Sequence, residues 1–153
     1  RRFMKPKKLK ANIEYTTPHG HVYRTDHKGR IKEIYADDLS LLDGGRNSYA
    51  QRTVGREDRL PDDDGGHLIA RVFGGSKDID NLVPQSKYIN RPFKENGDWY
   101  NMEQDWQKAI KGGKTIKNIK IEVKYKGENQ RPTQFQVEYE IDNKQFERRI
   151  MNI

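Results

Sequence analysis

Apolar and polar residues alternate with a period of two near both ends of the chain, and with a period near 3.6 in one stretch between. Val22-Tyr23-Arg24 and Ile31-Lys32-Glu33-Ile34-Tyr35 flank the turn-prone Thr25-Asp26-His27-Lys28-Gly29-Arg30. Two alternating runs around such a turn predict a β-hairpin, with Gly29 taking a positive φ. Towards the other end the alternation returns at Ile119, Ile121, Val123 and Tyr125, again at Phe135, Val137, Tyr139 and Ile141, and from Phe146 onward. Turns between Gly127 and Pro132 and at Asp142-Asn143 divide these runs into a three-stranded antiparallel meander. Trp99, Met102, Glu103, Trp106 and Ile110 recur at spacings of three and four, which predicts a helix started by Asp98 as cap and ended by Gly112-Gly113. Its two Trp and Met102 are read as core. Ser86 is a candidate N-cap for a shorter element after the extended Asn81-Leu82-Val83-Pro84-Gln85. Between Asp43 and Gly66 the residues are mostly Gly, Asp and Arg, with Pro61, and predict a long irregular connection. Loops of that length in compact domains are usually functional. The expected class is α+β: an antiparallel β-sheet with an N-terminal hairpin, one long helix and a C-terminal β-meander.

Composition narrows this further. A chain of 153 residues is the size of one domain. Leu, Ile, Val and Phe make up only about a fifth of it, so the core should be small. Six of the first ten residues are Lys or Arg. Such a block repels itself, so residues 1–12 are expected to form a flexible basic tail and 13–153 a single domain. The formal net charge of +7 attracts polyanions, and nucleic acid is the first partner to consider. There is no Cys, which excludes disulfides, thiolate catalysis and Cys-type zinc sites; a metal would need oxygen and nitrogen ligands. No apolar run is long enough for a membrane span and no signal peptide is present. The chain begins Arg1-Arg2 without an initiator Met, and is expected to be excised from a longer protein.

Among the four histidines, His19, His21 and His27 lie among turn residues and are read as surface. His67 stands apart, because it follows Gly65-Gly66, which admit close approach of backbone or ligand, and leads into the apolar Leu68-Ile69. A titratable imidazole is thereby expected at the edge of a glycine-rich surface. The Asp62-Asp63-Asp64 triplet suits hard cations by chemistry, but consecutive side chains point in different directions, so it is read as an acidic solvated turn.

Asp64-Gly65-Gly66-His67-Leu68-Ile69-Ala70, then Phe73-Gly74-Gly75, Asn81-Leu82-Val83-Pro84-Gln85, Asn90 and Trp99-Tyr100-Asn101-Met102-Glu103 together resemble the DNA/RNA non-specific endonuclease family. These are the ββα-metal nucleases, and the likeness is to the branch found as C-terminal toxin domains of Gram-positive secreted polymorphic toxins. It spans about residues 43 to 111. The resemblance implies a ββα-metal finger core in which His67 is the general base that activates water and Asn90 is the protein's ligand to Mg²⁺, with Mn²⁺ an alternative. It further implies that Asn81 assists near the scissile phosphate and Glu103 orders metal-bound water. Many members carry Arg before the Gly-His pair, where this chain has Gly65. Arg46, Arg52, Arg56 and Arg59 in the preceding loop are the candidates to grip phosphate instead, Arg52 first. Pro92 and Gly97 interrupt the sequence between Asn90 and the long helix, which loosens the match at Glu103.

The chemistry of these residue types agrees with those roles. Phosphodiester hydrolysis needs an activated water and stabilised charge on the phosphoryl oxygens. An imidazole with an ordinary pKa of about 6.5 suits the first task, and a hard, largely hydrated cation the second. The expectation is a metal-dependent, sequence-nonspecific endonuclease acting on DNA, with RNA a further candidate, as the toxin domain of a secreted antibacterial effector acting in a target cell's cytoplasm. An acidic immunity protein in the producing cell is the partner this implies. The alternative is a non-catalytic basic module that binds nucleic acid or an acidic protein. Composition fits it equally well, and the combined motif favours the enzyme. A nuclease of the HNH type would need a second His near Asn90, and none follows His67.

Overall fold

In the computed structural model, residues 8–42, 48–92 and 97–153 are described. The predicted hairpin is β2 (Val22–Thr25) and β3 (Ile31–Asp38), with Gly29 at φ 72° in the turn, and a short β1 (Glu14–Thr16) pairs outside β2. The predicted meander is β6 (Ile116–Tyr125), β7 (Pro132–Ile141) and β8 (Lys144–Met151). Hairpin and meander are parts of one antiparallel sheet of order β1-β2-β3-β6-β7-β8, because β3 pairs directly with β6. The class is α+β as expected.

The described residues between β3 and β6 form an insert that packs on this sheet. It contains α1 (Ser48–Thr53), the two-stranded ribbon of β4 (Asp63–His67) and β5 (Leu82–Ser86), the short α2 (Lys87–Asn90) and α3 (Asp98–Lys111). The described part of the connection between Asp43 and Gly66 is therefore not irregular throughout. The period-two signal fails there because Asp63-Asp64-Gly65-Gly66-His67 has no apolar alternation; what makes it a strand is pairing with β5, Gly65 opposite Pro84 and His67 opposite Leu82.

The core lies between sheet and insert. One row across the strands, Tyr15–Tyr23–Ile34–Ile121–Val137, faces inward, while the adjacent row Glu14–Arg24–Glu33–Glu122–Gln136 faces solvent, as alternation requires. Trp99, Met102 and Trp106 of α3 are fully buried against it. The Trp99 ring lies 5.1 Å from Phe135 and Trp106 lies 5.2 Å from Tyr139, edge-on. Two Trp packed against two aromatic rings of β7 make α3 the main anchor of the insert; deleting either ring is expected on general grounds to cost about 3–5 kcal/mol. Asp98 is the first helical residue and not the cap: Gly97 holds the capping position in the left-handed conformation, with its N–H donated to Tyr88 O at 2.7 Å. Ser86 does cap α2, its hydroxyl accepting from Tyr88 N.

The basic start is partly docked. Leu9 packs on the core, Lys10 O accepts from Thr25 Oγ1 at 2.6 Å and Asn12 N donates to Asp26 O; residues 1–7 lie outside the described residues. His19 and His27 are exposed, whereas His21 is 3% exposed, contrary to the surface reading. It precedes the inward Tyr23 by two residues, so strand alternation carries it inside.

A second anchor joins the ribbon to the sheet. Arg131, before β7, pairs with Asp63 through Nε and Nη2 at 2.7 and 2.9 Å, and Arg131 Nη1 donates to Asn152 O. The Asn152 carboxamide is buried; it accepts from Ser86 N at 2.7 Å and donates to Pro84 O and Pro132 O. Asp63 also accepts from Leu60 N. Its side chain is 1% exposed, so losing Arg131 leaves an uncompensated buried carboxylate. Arg131→Ala is expected to destabilise the fold by about 3–5 kcal/mol in urea unfolding; a loss below about 1 kcal/mol would show that the pair does not anchor the ribbon.

The buried His21 generates a pH prediction. Burial first, and the neighbouring His19 second, push its imidazole below the ordinary value, with Asp38 opposing. The unfolded chain takes up that proton near pH 6.5 and the folded chain resists it. This contribution to stability should thus be complete above about pH 6.5 and be lost as the pH falls below it. His21→Phe should flatten that part of the curve; an unaltered slope would exclude His21 as its source.

Candidate active site

The ribbon is built where two glycines let other groups come close. A Cβ on Gly65 would lie 2.1 Å from Gln51 O of α1, and one on Gly66 would lie 2.2 Å from Gln85 Oε1. α1 therefore rests directly on the β4 backbone, and Gln51 Nε2 donates to Gly65 O at 3.2 Å. An Arg side chain has no room at position 65, because a helix backbone stands there. The guanidinium groups near this strand come from elsewhere in the chain.

Arg59 is tied into the fold. Its Nη1 donates to Gln51 O and Val54 O and its Nη2 to Asp63 O at 3.0 Å, so it ties the end of α1 to the start of β4. Three backbone carbonyls thus accept from this guanidinium, which is expected to grip phosphate. Arg52 is exposed on the last turn of α1, one residue after the carbonyl that crowds Gly65. Arg56 is exposed as well. Arg46 lies outside the described residues.

His67 is the last residue of β4 and is 8% exposed. Asn81 braces the chain immediately beyond it. Asn81 O accepts from Leu68 N, its Oδ1 accepts from Ile69 N at 2.9 Å, and its Nδ2 donates to Ile69 O at 2.7 Å and Ser76 O at 2.8 Å. Asn81 is fully buried, and its carboxamide is taken up by backbone groups. In this arrangement Asn81 holds the loop after His67 in shape.

Asn90 ends α2 and is half-buried. Its Nδ2 donates to Asp64 Oδ2 at 3.0 Å, which leaves Oδ1 as the acceptor end of the carboxamide. Arg91 grips the same carboxylate with two prongs, Nε to Oδ2 at 2.9 Å and Nη2 to Oδ1 at 2.6 Å. Burial raises the Asp64 carboxyl, but the hydrogen bonds from Arg91 and Asn90 and the charges of Arg91 and Arg59 outweigh it. The net result lies below the usual carboxylate range, and the group is ionised at neutral pH. The contacts that hold Asn90 thus lead to Asp64, three residues before His67 on the same strand.

Of the acidic triplet only Asp62 lies in an exposed turn; Asp63 and Asp64 belong to β4. Asp62 pairs with Lys87 at 3.2 Å, Asp63 with Arg131 and Asp64 with Arg91, each carboxylate turned to a different cation. Glu103 lies on α3 next to the buried Met102 and is itself half-buried. α3 packs beside α2, so Glu103 and Asn90 belong to neighbouring helices. Among the described residues, no three His, Asp or Glu side chains gather as a metal cage. The Asn90 carboxamide oxygen, at the end of α2, is a neutral donor of the kind that suits an ion keeping most of its water.

Sequence reasoning missed Asp64 and Arg91 as parts of the site. Arg91 adjoins Asn90 in sequence, a signal that was readable; the reach back across 27 residues to Asp64 was not.

A family model described as DNA/RNA non-specific endonuclease matches residues 11–143. Over 149 residues the chain is 74% identical to the Type VII secretion system protein EssD of Staphylococcus aureus strain USA300, and equally to that of strain Newman. Each match covers 97% of this chain and 24% of the relative, so the chain spans about a quarter of the length of these curated relatives. Among solved structures, NucA from Streptococcus agalactiae with no metal bound superposes with a TM-score of 0.66 at 18% identity, over 96% of this chain and 76% of that one. The form of NucA with magnesium ion bound gives the same TM-score and identity, over 75% of its length. At that identity the likeness is one of fold.

The contact at Gly65 is testable directly. Gly65→Ala should force α1 away from β4 and lower stability by roughly 1–3 kcal/mol, the usual range for overpacking. Thermal unfolding measures it, and an unchanged midpoint would mean that α1 does not press on this strand.

Proposed function

Because the chain belongs to the DNA/RNA non-specific endonuclease family, we propose that it is a metal-dependent, sequence-nonspecific endonuclease that hydrolyses DNA phosphodiester bonds, with RNA a further substrate class. The observation that carries this reading is the ββα unit itself. The motif His ends β4, the motif Asn ends α2, and the carboxamide of that Asn is held with its oxygen free of the ribbon's own hydrogen bonds.

His67 takes the proton of the attacking water at its imidazole, which a neutral ring can do near pH 7. Its near-complete burial keeps that ring in one orientation. Asn81 acts at one remove: by bonding Leu68, Ile69 and Ser76 it holds the chain that leaves His67. Asn90 would hold the divalent cation through Oδ1, and Glu103 on the neighbouring helix would order water around it. When bound, Mg²⁺ or Mn²⁺ supplies positive charge to the phosphoryl oxygens and the leaving group. A single neutral protein ligand leaves that charge nearly intact and implies weak binding. Arg52, exposed beside the crowded Gly65, grips a substrate phosphate in place of the Arg that position 65 cannot hold. Contacts of this kind read no bases, and the net charge of +7 favours them, which accounts for sequence tolerance.

Residues 13–153 act in this reading as one nuclease domain. The name of the staphylococcal relatives supports secretion, and we infer a toxin domain that works in the cytoplasm of a target cell. The producing cell then needs protection, and an acidic immunity protein is the partner that the charge of this chain would attract.

The test is plasmid digestion by the purified chain. Cleavage should require Mg²⁺ or Mn²⁺, stop in EDTA, and fall at least about a hundredfold in His67→Ala, the scale for losing a general base. Unimpaired cleavage by a folded His67→Ala variant would remove the mechanism, and DNA binding without cleavage by the parent chain would replace it with the binding-module reading.

A further inference from the structure

We propose that Asp64 and Arg91 form an orienting pair that turns the Asn90 carboxamide oxygen toward the cation and bars Asp64 itself from ligating it. This rests on the nuclease reading above and deepens it, because it concerns how the proposed ligand is held.

An Asn side chain has two nearly isosteric ends, and only the oxygen can bind a cation. The torsion that exchanges them is broad and roughly two-fold, so an unrestrained Asn presents the wrong end much of the time. An ionised carboxylate is an acceptor with no hydrogen to give. At 3.0 Å from Asn90 Nδ2, Asp64 Oδ2 accepts from the NH₂ end; a flipped amide would bring two oxygens together there. The carboxylate is therefore a selector of amide orientation.

A bare carboxylate this close to a cation site would ordinarily become the ligand and outcompete a neutral amide. Arg91 prevents that. Both Asp64 oxygens are engaged, Oδ1 by Arg91 Nη2 at 2.6 Å and Oδ2 by Arg91 Nε at 2.9 Å together with Asn90. The guanidinium cancels the charge and occupies the lone pairs in a planar, two-pronged geometry that Lys could not reproduce. Local backbone makes this arrangement specific. Asn90 is the last helical residue of α2 and Arg91 its extended C-cap, so two consecutive side chains leave the helix end and meet at one carboxylate on β4. Asp64 is fixed in turn by its ladder position opposite Gln85. The Asp64 side chain is 19% exposed and that of Arg91 56%, so the acid is shielded and the base covers it.

The test is a Mn²⁺ titration of the ¹⁵N-labelled chain without nucleic acid, following paramagnetic broadening of the Asn90 side-chain amide, with thermal unfolding alongside. In the parent chain Mn²⁺ should broaden this signal. Asp64→Ala should raise the Mn²⁺ concentration at half-broadening at least about tenfold, the usual lower bound for losing a residue that orients a metal ligand. Asp64→Asn keeps the volume and one acceptor oxygen, so it should fold even where the Ala variant does not and give a smaller rise. A parent-like midpoint in a folded Asp64 variant would make the pair a plain ion pair and overturn this inference alone. Absence of broadening at Asn90 in the parent chain would overturn the Asn90 assignment and this inference with it.

Discussion

The buried contact between Asp63 and Arg131, completed by Asn152, is the constraint on which the geometry of this protein depends. A two-stranded ribbon is marginal by itself in water. Here both strands of β4–β5 are fastened to the six-stranded sheet, β4 through the Asp63 carboxylate and β5 through Pro84 O and Ser86 N, which Asn152 bonds with one carboxamide. The two fastenings meet, since Arg131 Nη1 donates to Asn152 O. Remove either and the ribbon that carries His67 keeps its ladder but loses its fixed place over the core.

Close approach is the second theme. Gly65 and Gly66 sit where α1 and Gln85 leave no space for a Cβ, and the ribbon is consequently covered at short range on both sides. The same crowding explains why a family position that often holds Arg holds Gly here. A guanidinium projecting from β4 and a helix backbone lying against β4 are mutually exclusive. With α1 in place, arginines of the α1 segment stand near the strand, and they have divided roles: Arg59 is drawn into the backbone, and Arg52 is left at the surface.

Charge is distributed with the same economy of position. The chain has a surplus of positive charge, yet two residues of its acidic triplet, Asp63 and Asp64, open β4, and Asp62 immediately precedes them. Each of the three carboxylates meets its own cation, so this stretch carries three anions without presenting three free charges to a polyanion. One of those pairs, at Asp64, also holds the Asn90 amide, and at that point structural electrostatics and proposed chemistry coincide.

Much was legible in the sequence because much of it is local. Period-two alternation located the hairpin and the meander, the spacing of Trp99, Met102 and Trp106 located the long helix, and Ser86 signalled α2; these signals arise within a few residues of the chain. Strand β4 was not legible, since Asp-Asp-Gly-Gly-His has no apolar alternation and is made a strand by a partner about twenty residues on. Nor was the burial of His21, the backbone duties of Asn81 and Arg59, or the union of hairpin and meander in a single sheet. The motif named His67 and Asn90, but it could not say what holds them. The sequence by itself determined the elements, the excess of positive charge and the residues able to do chemistry, because propensity, periodicity and side-chain type are properties of the local chain. The tertiary structure decided which donors and carboxylates were left for function, because a side chain's partners across 26 to 68 residues depend on how the sheet and its insert pack, and those partners consume hydrogen-bonding capacity that composition alone leaves open.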